Sequence, residues 1–359
     1  MTETQPPQDG PAVVAFGGGH GLAASLAALR QVTPHLTAVV TVADDGGSSG
    51  RLRAELGMLP PGDLRMALAT LAADDAESAS WADVLQHRFT GYGSLGGHAV
   101  GNLLLAGLVD RLGDPVAALD AAARLVRAAG RVLPLSRAAI DITAEVSGLE
   151  PGRLVGLRGQ VAVATTRGRV RTVKLLPDPP EACVEAVAAV HEADVLVLGP
   201  GSLFTSMLPH LLVPEMADAI GRADARRVLV LNLAPQPGET SGFAPETHLE
   251  VLADHAPSLR FDTVIADRET VADPDALRRA AAALGSDLQL SDVGVSGEPR
   301  HDPVRLAGAF RTAFGDAPWR ATTSSAAPVH KPAADAYRSQ SRGVASSADH
   351  PGGGSSRSR

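Results

Sequence analysis

Gly17-Gly18-Gly19-His20-Gly21 follows the apolar run Val13 to Phe16 and opens a stretch in which Leu22, Leu26 and Leu29 recur on one helical face. Strand, glycine turn and helix in that order place unhindered backbone N–H groups at the positive end of a helix dipole, where they can hold a phosphate. The spacing is neither the dinucleotide fingerprint nor the P-loop, and glycines here can also serve only to let the chain turn. A second turn of the same kind, Gly199-Pro200-Gly201-Ser202, comes after the buried run Val195 to Leu198, with Thr205 and Ser206 close behind. Its hydroxyls add neutral donors for a phosphate oxygen, although Ser202 also suits a plain helix N-cap. Two such turns in one chain point to a phosphate-bearing ligand.

Four further segments carry polar groups. Ala43-Asp44-Asp45-Gly46-Gly47-Ser48-Ser49-Gly50-Arg51 ends a predicted second strand, and in an open α/β sheet the carboxyl ends of the strands form the ligand crevice. Asp44 or Asp45 there can accept from a ribose or base, bind a divalent cation through oxygen, or simply make the turn. Pro60-Pro61-Gly62-Asp63-Leu64-Arg65 starts an Ala/Leu-rich helix with Asp63 at its positive end, a favourable place that needs no function. Gly97-His98-Ala99-Val100-Gly101-Asn102 precedes another apolar helix, and His98 is either a ligand or acid–base group or a structural histidine. Asn232-Leu233-Ala234-Pro235-Gln236-Pro237-Gly238-Glu239-Thr240 offers amide, carboxylate and hydroxyl groups that can read a base or sugar edge. No zinc-type Cys/His spacing, nucleophile elbow or kinase motif occurs.

The elements that must position these groups are short apolar, β-branched runs alternating with Ala/Leu-rich helical stretches, the habit of a parallel sheet covered on both faces. Candidate strands are Val13 to Phe16, Leu36 to Val42, Val195 to Leu198, Val228 to Leu233 and Thr263 to Ile265. From Ile140 to Leu176 the pattern changes to alternation with turns at Pro151-Gly152 and Arg167-Gly168, which reads as an antiparallel β insertion at 140–176. The polar start, 1–11, and the Ser/Gly/Arg tail, 321–359, read as disordered, leaving 12–320 as the folded part. The tail holds five basic and two acidic side chains, which leaves open an acidic partner or a kinase acting on it.

The 359 residues, 45% hydrophobic and 20% charged, are those of an ordinary globular protein. A formal charge of −8 argues against non-specific DNA binding, which depends on Lys and Arg displacing counterions. No run approaches a membrane span or signal peptide, so no membrane insertion and a cytoplasmic location are expected. Cys183, in a segment read as a helix from Glu181 to His191, is the single cysteine and excludes an internal disulfide; it reads as a buried spectator thiol.

Read together, the runs Gly17 to Leu22, Ala43 to Arg53, Pro60 to Arg65, Gly97 to Asn102, Gly199 to Pro209 and Asn232 to Thr240 resemble the signature set of the YvcK/CofD-like (gluconeogenesis factor) family. The likeness covers roughly 12–320 and implies a Rossmann-like three-layer α/β/α fold with a mainly parallel sheet and a ligand cleft at the strand ends. It also implies one of two functions. The gluconeogenesis-factor branch binds nucleotide sugars of the UDP-N-acetylglucosamine type and supports cell shape and peptidoglycan synthesis on gluconeogenic carbon sources. The other branch is a magnesium-dependent transferase that moves phospholactate onto a deazaflavin precursor. Ala43 to Arg53 and Gly62 to Arg65 resemble the first branch.

By this resemblance the two glycine turns would hold the diphosphate, while Asp44, Asn102 and the Asn232 loop would lie around the nucleoside or sugar. The cofactor it leaves open is Mg2+ accompanying the nucleotide; a homo-oligomer and a regulatory protein partner also stay open. A dinucleotide such as NAD is a third candidate ligand, on the glycine turn and acidic strand end alone. Departures from the family pattern are His20 where Thr is usual, Met66 for Asn, and Ala234-Pro235 for Met-Thr.

Overall fold

The computed structural model describes residues 10–236, 238–315 and 319; of the segments expected to be disordered, 1–9 and 321–359 lie outside the described residues, whereas Gly10 and Pro11 of the expected 1–11 are buried, the Pro11 carbonyl accepting from Thr33 Oγ1 at 2.6 Å. Among the described residues ten strands form two sheets. The large sheet contains β1 (Val13–Gly17), β2 (Leu36–Val40), β3 (Arg131–Pro134), β7 (Val195–Leu198), β8 (Arg226–Val230), β9 (Thr263–Asp267) and β10 (Asp287–Ser291). The small one contains β4 (Asp141–Glu150), β5 (Arg153–Arg158) and β6 (Arg169–Leu176).

The large sheet is parallel throughout, in the order β10-β9-β8-β7-β1-β2-β3. Its interior strands β1, β7 and β9 are buried at every residue, because helices cover both faces and leave no polar side for alternation. The chain runs outward from β1 through β2 to β3, then returns to β7 beside β1 and runs outward the other way. That reversal puts a topological switch point between β1 and β7, where the chains leaving adjacent strand ends part to opposite sides and open a crevice.

The expected three-layer fold is therefore present, with corrected element bounds. β2 ends at Val40 instead of Val42, and β8 spans Arg226–Val230 instead of Val228 to Leu233, because the chain leaves the sheet where the site loops begin. β9 runs on to Asp267. The helix read from Glu181 begins at Val184, after Cys183. Cys183 is fully buried, and burial pushes its thiol up to about 11, consistent with an inert residue.

β3 and β10, the two edges, were not among the strands read from the sequence. Arg131-Val132-Leu133-Pro134 is four residues long and ends in proline, and Asp287-Leu288-Gln289-Leu290-Ser291 mixes polar residues into a half-covered edge.

The insertion is antiparallel in the order β5-β4-β6, with a five-residue helix, Gln160–Ala164, between β5 and β6. Gly152 occupies the left-handed region at φ 68° in the β4–β5 turn, as Pro151-Gly152 predicts. Ile142, Ala144, Val146, Val170, Val173 and Leu175 face inward and join the main core, so the small sheet is packed onto the body of the molecule. Among the described residues no helix is long and apolar enough to cross a membrane.

Candidate functional site

The first turn leaves β1 at Gly17 and enters the helix Gly19–Leu29, whose Leu22, Leu26 and Leu29 pack inward as their spacing predicts. Gly18 is the N-cap and supplies no side-chain cap. The N–H groups of a helical first turn have no intrahelical acceptor, so beyond the Gly19 N–H, which Asp63 accepts, this terminus presents donors and the positive end of the dipole. The second turn lies directly against the first: a Cβ on Gly21 would stand 2.3 Å from the Pro200 carbonyl oxygen and 2.7 Å from Gly201 Cα. Ser25 Oγ donates to the Gly199 carbonyl at 2.7 Å and ties the two turns from below.

Asn232, expected near a base or sugar, spends both ends of its amide on the second turn. The Gly201 N–H donates to its Oδ1 at 2.9 Å, and its Nδ2 donates to the Gly201 carbonyl at 2.7 Å. Glu239 is likewise committed: Oε1 accepts from the N–H groups of Phe204 at 2.7 Å and Thr205 at 3.0 Å, and the Ser202 hydroxyl donates to the same carboxylate. The helical segment 203–212 opens with one π turn, Leu203–Met207, and is capped from within by these residues, so its N-terminus offers fewer free donors than the first helix. Burial raises the Glu239 carboxyl, opposed by these hydrogen bonds. Ser206 Oγ has no hydrogen-bond partner among the described residues and would lie 3.4 Å from a Cβ on Gly18. Thr240, fully buried, accepts from the Gln236 N–H at 2.8 Å and shapes the loop.

On the other side of Gly18 stand two carboxylates. A Cβ there would meet Asp63 Oδ2 at 2.5 Å, and one on Gly62 would meet Asp44 Oδ2 at 3.2 Å. Burial, then the neighbouring Asp44 charge, raises Asp63 to about 6, while a hydrogen bond from the Gly19 N–H and the Arg65 charge act against it. Asp44 also accepts from the Gly46 N–H at 2.9 Å. Two oxygen-bearing groups that repel each other beside a phosphate-type turn suit a hard divalent cation. Asp45, by contrast, is exposed and accepts from the Val161 N–H at 2.9 Å, so it fastens the insertion's short helix.

Beyond the carboxylates, Ser48, His98 and Asn102 form a buried network. Ser48 Oγ meets His98 Nδ1 at 2.8 Å and accepts from Asn102 Nδ2 at 2.9 Å. Burial lowers the His98 pKa, which keeps the ring neutral and makes a structural role the better account of it. Ser49 Oγ accepts from the Gly62 N–H at 3.0 Å, and Arg51 donates to the Gly96 carbonyl at 2.8 Å, so these two brace loops. Arg65 is only 3% exposed, its guanidinium has no hydrogen bond or salt-bridge partner among the described residues, and its Nε is buried unpartnered. A buried guanidinium without a counter-anion is costly; Asp63's nearby charge offsets part of that, and burial lowers the Arg65 pKa.

The glycine turns line a cleft of about 520 Å³, within the range of small-molecule sites. Gln236 lines it, and so do Pro299, Arg300 and His301, which the sequence reading did not select. Asp267, at the end of β9, brings the latter group in: its Oδ2 accepts from the N–H groups of Val293 and Gly294 at 2.9 Å each, and Gly294 pairs with His301. Gln236 Oε1 and His301 Nε2 are buried without hydrogen-bond partners among the described residues. Burial lowers His301 to about 4, so its ring is neutral near pH 7. The only sequence signal for it was a basic pair just before the Asp302-Pro303 helix start.

A match to the CofD family, described as 2-phospho-L-lactate transferase CofD, spans residues 13–295, and so takes in both glycine turns and both carboxylates. The chain belongs to the CofD family. A Mycobacterium tuberculosis (strain H37Rv) protein is 56% identical over 300 residues, covering 82% of this chain and 88% of its own. A Bacillus subtilis protein is 39% identical over 269 residues, covering 75% and 82%. Both carry the gluconeogenesis-factor name. A crystal structure of a UPF0052-family protein from Bacillus halodurans superposes with a TM-score of 0.75 at 34% identity, over 84% of this chain and 99% of that one. Fold and family thus agree with the resemblance carried by the six motif segments.

Proposed function

We propose that this CofD-family chain is a gluconeogenesis factor that binds a nucleotide sugar of the UDP-N-acetylglucosamine type and, through it, supports cell shape and peptidoglycan synthesis during gluconeogenic growth. The observation that carries the reading is the N-terminus of the helix Gly19–Leu29, where Asp63 takes the Gly19 N–H and Gly18 offers no side-chain cap, set against a second glycine turn at the switch point between β1 and β7. Its amides suit a diphosphate, with the Ser206 hydroxyl on the facing wall. Gln236 and His301, each with a polar atom lacking a partner, supply candidate contacts for the remainder of the ligand. Asp44 and Asp63 would hold a Mg2+ ion accompanying the diphosphate, supplying positive charge to its oxygens.

The gluconeogenesis-factor names of the relatives support this reading. A second reading, phospholactate transfer to a deazaflavin precursor, draws on the description of the matched family and on the same carboxylate pair. The discriminating experiment is complementation of a Bacillus subtilis strain lacking its 39%-identical relative. Restored rod shape on a gluconeogenic carbon source supports the regulator. Failure to restore it, together with phospholactyl transfer by the purified chain, would establish the second reading in its place.

A further inference from the structure

A second cavity, of about 840 Å³ against about 520 Å³ for the cleft, lies between the insertion and the 238–247 segment. Two close approaches set its walls. A Cβ on Gly238 would come 2.6 Å from the Ala164 carbonyl oxygen, and one on Gly168 would come 2.3 Å from Val146 Cγ1, so only glycine permits either contact. Arg167, Arg169, Thr165, Ser241, Phe243 and Thr247 face this space.

Its charge is unbalanced. Neither Arg167 nor Arg169 has a carboxylate partner among the described residues. Glu239 is the acid on the wall, and its oxygens are already taken by the Phe204 and Thr205 N–H groups and the Ser202 hydroxyl. Two unpaired guanidiniums thus sit together in a chain whose net charge is −8. The Arg169 guanidinium stands 5.8 Å from the Phe243 ring centroid, which orients it while leaving its N–H edge available. Guanidinium forks match a phosphate, threonine and serine hydroxyls match sugar hydroxyls, and an aromatic face covers a ring.

We propose that this cavity is a second ligand site, for a phosphorylated, hydroxyl-bearing small molecule, separate from the glycine-turn cleft. Arg167 and Arg169 bind its phosphate, and Phe243 with the neighbouring hydroxyls holds its carbon skeleton. The site shares a wall with the cleft, because Ser202 lines the cleft and its partner Glu239 lines the cavity.

The test uses the full chain carrying Phe243→Trp, titrated with glycerol 3-phosphate at constant ionic strength and followed as the fluorescence difference from the unsubstituted protein. A saturable change is expected, absent with glycerol, and weakened at least about tenfold when Arg167→Gln and Arg169→Gln are added. Both arginines are exposed, so the double variant should melt with the parent. A signal that does not saturate, or that survives the double substitution, overturns the proposal. UDP-N-acetylglucosamine titrated into the double variant separates this outcome from the nucleotide-sugar reading, since the cleft contains neither arginine.

Discussion

Gly21→Ala tests whether the contact between the two glycine turns builds the ligand site. The added Cβ would lie 2.3 Å from the Pro200 carbonyl oxygen, 2.7 Å from Gly201 Cα and 2.8 Å from the Pro200 carbonyl carbon, all of them backbone atoms. Ordinary contact requires the turns to separate by roughly 1 Å, an overpacking strain of about 1–3 kcal/mol. The Asn232 clamp and the Ser25 hydrogen bond oppose that movement, so the strain is expressed as distortion of both turns. A diphosphate held by both would lose at least one charge-assisted hydrogen bond, about 1.5–3 kcal/mol, or roughly 10- to 100-fold in affinity. Calorimetric titration with UDP-N-acetylglucosamine measures the loss, with a thermal melt alongside. Gly107→Ala is the control, because its Cβ would meet nothing within 4 Å. Unchanged affinity in Gly21→Ala, with the fold intact, would refute the reasoning.

Three further substitutions probe the surrounding groups. Asn232→Ala removes both hydrogen bonds to Gly201; we expect about 2 kcal/mol of lost stability in denaturant titration and weaker nucleotide-sugar binding. Asp63 holds a proton up to about 6 in the folded chain against a reference of 3.8, so the folded state binds more protons across that interval. Its contribution therefore favours folding at low pH and is lost as pH rises through about 6; Asp63→Asn should flatten the stability profile between those values by about 3 kcal/mol, measured by thermal melts. Asp45→Ala frees the Val161 amide; hydrogen exchange should quicken in Gln160–Ala164 while nucleotide-sugar affinity stays within about twofold.

Much of the architecture was legible because burial on both faces writes continuous apolar runs into β1, β7 and β9, and each is followed by a change of composition. The edges were obscured by the same logic: β10 is half covered, so Gln289 and Asp287 interrupt a pattern that the central strands keep. The glycine turns were readable as turns, but not their contact, since Gly21 and Pro200 are distant in sequence and meet only because β1 and β7 are neighbours.

Side-chain commitments were the least legible. Asn232 and Glu239 have the functional groups of ligand readers, yet Asn232 clamps Gly201 and Glu239 caps Phe204 and Thr205. Asp44 and Asp45 are adjacent, and only the position of Val161 explains why one lies by Asp63 and the other fastens the insertion. His301 enters the cleft because Asp267 folds the 293–301 loop back over β9, a relation no local spacing encodes.

The most direct test of the central claim is a calorimetric titration of the purified chain with UDP-N-acetylglucosamine, with GTP and NAD in parallel and Mg2+ present or withheld. Saturable micromolar binding of the UDP-sugar, with neither GTP nor NAD matching it, is the predicted result. Absence of that binding, with saturable Mg2+-dependent GTP binding or tight NAD binding instead, would contradict it.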